Sequence, residues 1–379
     1  MSLSAARFRR AHLAIATLFF ALGINYGTWA ARIPALKQQL QMNDAEVGIF
    51  LLASGLGAVF SFPLTAWILQ RFGTRTACLL AAGGLPLVLL LLAGVSNYPA
   101  GVSIMVFEGV LASCLNVAMN TQAVELEAQS GRMVMSRLHA IFSLGLFSAA
   151  LLAWLVQSIT PLLWQHFVLA AVLLISAAIY AAGGLLPTRP AAEEPGSQGR
   201  RFALPAGAAL GFGVLAFCGT IVEGSMNDWT ALYLKEVAGA SERAAVTGLA
   251  AFSATMLISR WFGDAWRLRF GARKLLLGGG LLTGLALLLG VGLAGFWPGV
   301  LAFALAGLGM AAVSPCVYQG AARHGAITLA AVTTMGSIGA LLGPPLLGFV
   351  AHASSLAWAM AIVAVMALLI ALLSRSVRW

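Results

Sequence analysis

The sequence predicts an all-α polytopic membrane protein with twelve transmembrane helices in two pseudo-symmetric six-helix bundles. Three observations lead to this prediction: a very apolar composition, the number and length of the apolar runs, and an internal repeat. Of the 379 residues, 60% are hydrophobic and only 9% are charged, whereas soluble proteins carry about 25% charged residues. With a mean hydropathy of +0.93, the chain is too apolar for a soluble globular protein.

Twelve apolar runs are long enough to cross a bilayer as an α-helix, which takes about 20 residues. They cover 11–34, 45–69, 75–95, 99–124, 135–157, 162–186, 203–234, 244–266, 273–294, 297–320, 326–350 and 356–374. Continuous apolar runs argue against a transmembrane β-barrel, whose strands alternate polar and apolar residues over about ten positions. The first run exceeds the apolar core of a secretory signal, so we predict a spanning helix there.

The net charge of +10 is distributed in a way that indicates orientation and not nucleic-acid binding. When the twelve spans are threaded with the N-terminus inside, 17 of the 22 basic residues fall on the cytoplasmic side. This is the bias of the positive-inside rule, and it predicts that both termini are cytoplasmic. The four cysteines are dispersed without metal-ligand spacing, and we expect neither a metal nor a cofactor.

A segment rich in proline, glycine and charged residues interrupts the apolar pattern in the middle of the chain, with six spans on each side. Such composition is typical of a linker. The predicted domains are an N-terminal bundle at 1–186, a cytoplasmic linker at 187–202 and a C-terminal bundle at 203–379.

The two predicted bundles also repeat short motifs. Arg-Phe-Gly-x-Arg follows span 2 and recurs 198 residues later after span 8, and Ser143-Leu-Gly145 in span 5 corresponds to Ser337-Ile-Gly339 in span 11. Matches at a nearly constant offset indicate a duplication. The paired cytoplasmic loop motif consists of Arg71, Gly73, Arg75, Arg269, Gly271 and Arg273.

The six-plus-six arrangement with paired loop motifs resembles the major facilitator superfamily. The superfamily's loop motif, Gly-x-x-x-Asp-Arg-x-Gly-Arg-[Arg/Lys], is matched at Arg71 and Gly73, but Gln70 stands at the aspartate and Ala66 at the first glycine. Four further stretches are similar to bacterial YbjJ-type inner-membrane transporters, distant relatives of the fucose/glucose permease branch. They are Gly27-Thr-Trp-Ala-x-Arg-x-Pro34, Leu138-His-x-x-Phe-Ser-Leu-Gly145, Glu223-Gly-Ser-x-Asn-Asp-Trp229 and Gly343-Pro-Pro-Leu-Leu-Gly348. The resemblance implies secondary transport across the bacterial inner membrane and not an enzymatic activity.

Span 7 contains two carboxylates, which are costly inside a membrane and therefore indicate function. At 100° per residue, Glu223 and Asn227 share one face of the helix, whereas Asp228 lies about 140° away from Glu223 and about 7.5 Å further along the axis. We therefore predict different roles for the two acids.

Asp228 is predicted to form a gate with Arg32. The repeat puts these residues near the outer ends of corresponding helices, spans 7 and 1. We expect an ion pair between the bundles when the outer side closes. The alternative is that both side chains reach interfacial water independently.

Glu223 is the predicted proton-coupling residue. In the permease relatives a glutamate stands six residues before an aromatic residue of span 7, and Glu223 and Trp229 keep that spacing. The alternative is a structural acid satisfied by neighbouring donors. His139 in span 5 is a second candidate, which either titrates or forms a hydrogen bond into the cavity.

Span 4 departs from the permease pattern Glu-x-x-x-Asn, because it reads Asn116-Val-Ala-Met-Asn120. The two amides share a face and predict a hydrogen-bonding wall, while Glu108 lies about 80° off that face, with its role open between cavity and helix contact.

Arg260 and Asp264 in span 8 are four residues apart and predict a structural pair. The predicted substrate cavity consists of Asn25, Trp29, Asn116, Asn120, Asn227, Trp229, Tyr318 and Gln319.

These features predict a proton-coupled secondary transporter of a small polar solute, sugar-like in chemistry, that works by alternating access. Its expected partners are the solute, protons and the lipid bilayer, without nucleic acid, and the chain is expected to be a monomer. The alternatives are an efflux antiporter for drugs or metabolites, a flippase for lipid-type substrates, and a membrane sensor that does not transport. Span 5 lacks the Gly-Pro motif typical of efflux antiporters.

Overall fold

The computed structural model describes residues 4–187, 208–377 and 379, and these residues fold into α-helices joined by short turns. The helices in chain order are α1 (Ala5–Ala30), α2 (Ile33–Gln39), α3 (Asp44–Gly94), α4 (Tyr98–Ser130), α5 (Met135–Ile159), α6 (Leu163–Ala182), α7 (Ala208–Glu236), α8 (Glu242–Ala245), α9 (Thr247–Phe270), α10 (Ala272–Leu293), α11 (Phe296–Met310), α12 (Val313–Arg323), α13 (Ala326–Ala353) and α14 (Leu356–Leu373). The described part contains no strand, so the predicted all-α class is confirmed.

The predicted spans correspond to the long apolar helices. Eleven helical segments of the described chain are long and apolar enough to cross a membrane. One of them, α3, has 51 residues, about 77 Å at 1.5 Å per residue, which is too long for a single crossing of a bilayer core of about 30 Å. Gly73 interrupts α3 with φ 80° and ψ 167°, so α3 contains both span 2 and span 3.

Span 10 is also interrupted. Helix α11 ends at Met310 and α12 begins at Val313, with Ala311 and Ala312 in a turn between them. Both alanines keep right-handed backbone angles, so the chain continues in the same general direction with a local break in its hydrogen bonding. Broken spanning helices are tolerated where other protein groups or a cavity satisfy the freed backbone.

The chain divides into two compact units, Met1–Gln41 with Ala53–Pro195, and Met42–Leu52 with Gly196–Trp379. The predicted boundaries at 1–186, 187–202 and 203–379 stay predictions, and they put the start of α3 in the first bundle. That segment belongs to the second unit, where Gly48 packs against the backbone of Pro344 and Gly348 in α13. Residues 188–202 of the predicted linker lie outside the described part of the chain, so the linker stays a prediction.

In the first unit, α1 packs closely against α5. The contact depends on Gly145, because a Cβ there would overlap the carbonyl of Phe20 and lie 3.0 Å from Gly23 Cα. Small residues at such contacts allow helix backbones to approach within the membrane, where no hydrophobic effect drives helices together. Gly145 is the last residue of the Ser-Leu-Gly motif that the sequence repeats in span 11.

In the second unit, α7 packs against α13 in the corresponding way. A Cβ at Gly339 would lie 2.5 Å from the carbonyl oxygen of Phe217, and the hydroxyl of Thr220 donates to the carbonyl of Gly336 at 2.8 Å. The motif shared by spans 5 and 11 therefore has the same role in both units. Its glycine allows a close contact with α1 in the first unit and with α7 in the second.

Candidate functional site

A buried carboxyl, Glu108 of α4, joins three helices of the first unit. Its Oε1 accepts a hydrogen bond from Nδ2 of Asn25 in α1 at 3.2 Å, and its Oε2 accepts one from the hydroxyl of Ser54 in α3 at 2.5 Å. The indole of Trp29 lies beside the same carboxyl. Glu108 is 3% exposed and Asn25 is 0% exposed. The carboxyl is thus held by neutral donors at a depth where charge is expensive.

Two glycines bring α3 and α4 close enough for this arrangement. A Cβ at Gly109 would overlap the carbonyl of Ser54, and a Cβ at Gly57 would overlap the carbonyl of Val106. Because the backbones touch at these points, the residue next to Gly109 in sequence, Glu108, is within reach of the Ser54 hydroxyl. The sequence left the role of Glu108 undecided, and the structure shows that it makes helix contacts.

Asn116 and Asn120 follow Glu108 on α4 and form a pair of their own. Nδ2 of Asn120 donates to the carbonyl oxygen of Asn116 at 2.8 Å and to its Oδ1 at 2.6 Å. Asn116 is exposed and Asn120 is half-buried. The two amides share one face, as the spacing indicates, and they leave further hydrogen-bonding capacity available; their contact with a substrate stays a prediction.

The other sequence-predicted residues of the first unit lie in different surroundings. Arg32, in the turn between α1 and α2, is 1% exposed, and its Nη2 donates to the carbonyl of Pro161 at 2.6 Å. The imidazole of His139 in α5 is exposed and lies edge-on to Phe19 with ring centroids 5.3 Å apart. The proton-coupling role of His139 stays a prediction.

In the second unit, the predicted proton-coupling residue Glu223 forms an ion pair. Nη2 of Arg260 in α9 lies 2.7 Å from Oε1 of Glu223 in α7, with side chains 17% and 25% exposed respectively. The sequence predicts a pair between Arg260 and Asp264, which stays a prediction, because the side chain of Asp264 lies outside the described part of the structure. The pair with Glu223 links α9 to α7, at a depth where an unpaired charge is costly.

Around Glu223 the predicted cavity residues fall into two groups. Asn227, Asp228 and Trp229 of α7 are buried, at 6%, 6% and 0% exposure. Tyr318 of α12 is half-buried and lies within electrostatic range of Glu223, and Gln319 accepts a hydrogen bond from Arg267. The predicted pair of Asp228 with Arg32 would join the two units and stays a prediction.

The paired loop motif has the same backbone conformation in both units. Gly73 has φ 80° and ψ 167°, and Gly271 has φ 78° and ψ 157°, a region that only glycine adopts without strain. The arginines differ in their partners: Nη2 of Arg75 donates to the carbonyl of Ala182 at the end of α6 at 3.0 Å, whereas Arg269 lies over the ring of Phe270.

Sequence reasoning missed Gln122, which anchors the chain after α6 to the first loop motif. Its Nε2 donates to the Thr74 hydroxyl at 2.9 Å and to the Leu186 carbonyl at 3.0 Å, and its Oε1 accepts from the Leu186 amide at 2.9 Å. A single glutamine in an apolar helix carries no periodic signal. Only its burial at 0% exposure and its three bonds reveal the contact.

Gly271→Ala is expected to lower the free energy of unfolding by about 1–3 kcal/mol, the cost of a strained backbone. The strain is conformational, because an added Cβ would meet no atom within 4 Å. Thermal unfolding of the purified protein in detergent measures the effect. The control is Gly263→Ala in α9, where the added Cβ is equally unobstructed and alanine is the better helix former. If both variants lose the same stability, the backbone explanation is wrong.

The comparisons with known proteins agree with this architecture. The family described as Major Facilitator Superfamily matches residues 13–325. An uncharacterised MFS-type transporter of Yersinia pestis is 34% identical over 370 residues, which cover 95% of this chain and 94% of that protein.

Two solved structures share the fold. A mutant of the nucleoside transporter NupG superposes with a TM-score of 0.77 at 14% identity, covering 97% of this chain and all of that chain. A variant of the Escherichia coli fucose:proton symporter FucP superposes with a TM-score of 0.64 at 17% identity, covering 97% of this chain and 98% of that chain. At such identities the likeness establishes the fold alone. The family match, the relative and the twelve spans together show that the chain is a multi-pass membrane transporter that belongs to the major facilitator superfamily.

Proposed function

We propose that the protein is a proton-coupled secondary transporter that moves a small polar solute across the bacterial inner membrane by alternating access. In this proposal the chain acts as a monomer with both termini in the cytoplasm. The observation that carries proton coupling is the buried carboxyl of Glu108, which is bonded by Asn25 and Ser54.

The chemistry of this carboxyl suits reversible proton binding. Its two bonding partners are neutral, so a proton can be taken up or released without an ion pair having to break. The Ser54 hydroxyl is able to donate to the carboxylate or to accept from the protonated acid. Glu223, by contrast, must give up its pair with Arg260 before it holds a proton. We therefore add Glu108 to Glu223 and His139 as proton-coupling candidates.

The polar character of the solute is supported by the asparagine pair on α4 and by the fold relatives. Asn116 and Asn120 offer amide groups of both hydrogen-bonding polarities, which suit hydroxyl-bearing solutes. The two similar folds belong to proteins named as a nucleoside transporter and a fucose:proton symporter, and both named solutes carry several hydroxyl groups.

Proton flux driven by a solute gradient tests this function. The protein is reconstituted into liposomes that contain a pH-sensitive dye, and sugars, nucleosides and polyols are added outside in turn. We expect one polar class to acidify the lumen in a saturable way, and Glu108→Gln to abolish the acidification. The control is Glu125→Gln, a half-buried acid of the same helix that is bonded by Gln129, which should behave like the native protein.

The same assay separates the alternatives. Saturable solute uptake without a change in lumenal pH would contradict proton coupling, and movement of amphiphiles in place of polar solutes would favour the efflux or flippase alternative. A Glu223→Gln variant that keeps full proton flux would remove Glu223 from the proton role. An Asp228→Asn variant whose flux and whose exposure of introduced cysteines both equal the native values would count against the Arg32–Asp228 gate.

A further inference from the structure

The second unit contains a cavity of about 330 Å³, a volume within the range of ligand pockets, about 300–1,000 Å³. It lies between α9, α10 and the break that separates α11 from α12. Its wall includes Ser259 and Trp266 of α9, Lys274 and Gly278 of α10, and Ala312 at the break. None of the residues discussed above as proton or solute ligands lines it.

The polar side chains in this wall are hydrogen-bond donors. Lys274 contributes an ammonium group, Trp266 an indole N–H and Ser259 a hydroxyl, and no acidic side chain is among the described residues that line the cavity. The rest of the wall is apolar and comes mainly from leucines, alanines and glycines. Such a wall favours an occupant that has a negative charge, hydrogen-bond acceptors and an apolar body.

The hydroxyl of Ser259, a residue of the cavity wall, lacks a hydrogen-bond partner in the described protein. A serine inside a helix ordinarily donates to the carbonyl four residues earlier, as Ser253 of the same helix does to Leu249 at 2.6 Å. Ser259 is 1% exposed, and its Oγ is buried without a hydrogen-bond partner in the described protein. A buried polar atom without a partner is costly, and an acceptor inside the cavity would remove that cost.

The break between α11 and α12 brings a helix terminus to the cavity wall. Helix α12 has 11 residues and begins at Val313, next to Ala312 of the cavity wall, and no side chain caps its first turn. The N-terminus of a helix carries a partial positive charge that favours oxygen acceptors. Ser259 and this helix terminus therefore favour the same kind of occupant.

The arrangement of donors along the cavity matches an amphiphile. Lys274 lies near the start of α10, at the end of the unit predicted to be cytoplasmic, and Ser259 lies seven residues before Trp266, about 10 Å deeper along α9. Basic pockets between spanning helices on the cytoplasmic side suit anionic lipid headgroups. We propose that this cavity binds an anionic phospholipid of the inner leaflet, with its phosphate at Lys274, an ester carbonyl at Ser259 and an acyl chain along the leucines.

Lipid binding to the full-length protein tests the proposal. The protein is purified in detergent and titrated with dioleoyl-phosphatidylglycerol, dioleoyl-phosphatidylcholine or inorganic phosphate, and native mass spectrometry and thermal unfolding report binding. We expect phosphatidylglycerol to bind and to raise the unfolding temperature, and the other two probes to have little effect. An equal response to phosphatidylcholine would overturn the anionic preference, and an equal response to phosphate would assign the site to a soluble anion.

Two variants with matched controls locate the binding site. Gly278→Leu should abolish phosphatidylglycerol binding, because a side chain there extends into open space and fills the cavity. Its control is Gly292→Leu, which is equally unobstructed on the same helix but outside the cavity wall. Lys274→Gln should weaken binding about fivefold, the effect of one cationic side chain near a membrane surface. Its control is the neighbouring Arg273→Gln, since Arg273 does not line the cavity.

Two results with these variants would overturn the proposal. Binding by Gly278→Leu at the native level would show that the cavity is not the site and would overturn the proposal. Equal weakening by Arg273→Gln and Lys274→Gln would indicate a diffuse surface charge and would also overturn it. Both leucine variants replace a helical glycine by a better helix former, so their folding should be preserved.

Discussion

Glu108→Ala is expected to lower the free energy of unfolding by about 2–4 kcal/mol, through an unpaired buried donor and a new cavity. The change leaves the Asn25 amide without its acceptor at 0% exposure and removes the acceptor of the Ser54 hydroxyl. It also removes a contact that joins α1, α3 and α4. Thermal unfolding of the purified protein in detergent at fixed pH measures the loss.

The variant Glu108→Gln separates the contribution of the hydrogen bonds from that of the charge. Its carbonyl can still accept from Asn25, and the Ser54 hydroxyl can turn to accept from the new amide group, so we expect less than half of the alanine variant's loss. Glu125→Ala controls for the removal of an acid from the same helix and should change stability little. If Gln and Ala at position 108 destabilise equally, the carboxyl must be ionised and needs its charge, which would contradict reversible protonation among neutral partners.

Arg260→Ala is expected to lower the free energy of unfolding by about 2–3 kcal/mol, because it leaves the carboxylate of Glu223 without its cation in a partly buried position. The pair links α7 to α9 at 2.7 Å. Adding Glu223→Gln to Arg260→Ala should restore much of the loss, since the unpaired charge is then absent. Thermal unfolding of the two single variants and the double variant gives the coupling energy.

A second ion pair in the same unit provides the control. Lys235 and Glu242 are also 2.7 Å apart, but their side chains are more exposed, at 29% and 31%, and they lie at the ends of α7 and α8. Exposed pairs contribute about 0–1 kcal/mol, so Lys235→Ala should cost less than Arg260→Ala. Equal losses, or no recovery in the double variant, would show that the Arg260–Glu223 pair does not stabilise the unit through its charge.

The spanning helices were predictable because hydropathy is a local property of sequence. Each of the twelve apolar runs lies in a described helix or has most of its length there, and the repeated turn glycines, Gly73 and Gly271, have nearly identical backbone angles. The division near residue 41 in the first loop was not predictable. It depends on Gly48 meeting α13, a contact between residues about 300 positions apart in sequence.

The sequence predicted which residues are candidates for the site, but not which of them pair with each other across helices. Intramembrane acids and amides stand out in an apolar chain, so Glu223, Asn116 and Asn120 were identified from sequence. Helical spacing correctly put Asn116 and Asn120 on one face, because both residues belong to one helix. The pair of Arg260 with Glu223 was not predictable, because spacing along one helix contains no information about its neighbours.

The sequence by itself determined the membrane class, the number of spans, the repeated halves and the family. These follow from hydropathy, glycine-containing turns and motif spacing, all of which act over short stretches of chain. Only the tertiary structure decided that Glu108 is held by Asn25 and Ser54, that Gln122 anchors Leu186, and that Ser259 is buried beside a cavity without a partner. The physical reason is that these polar groups depend on which helices touch, and close contacts at glycines such as Gly109 and Gly145 decide that.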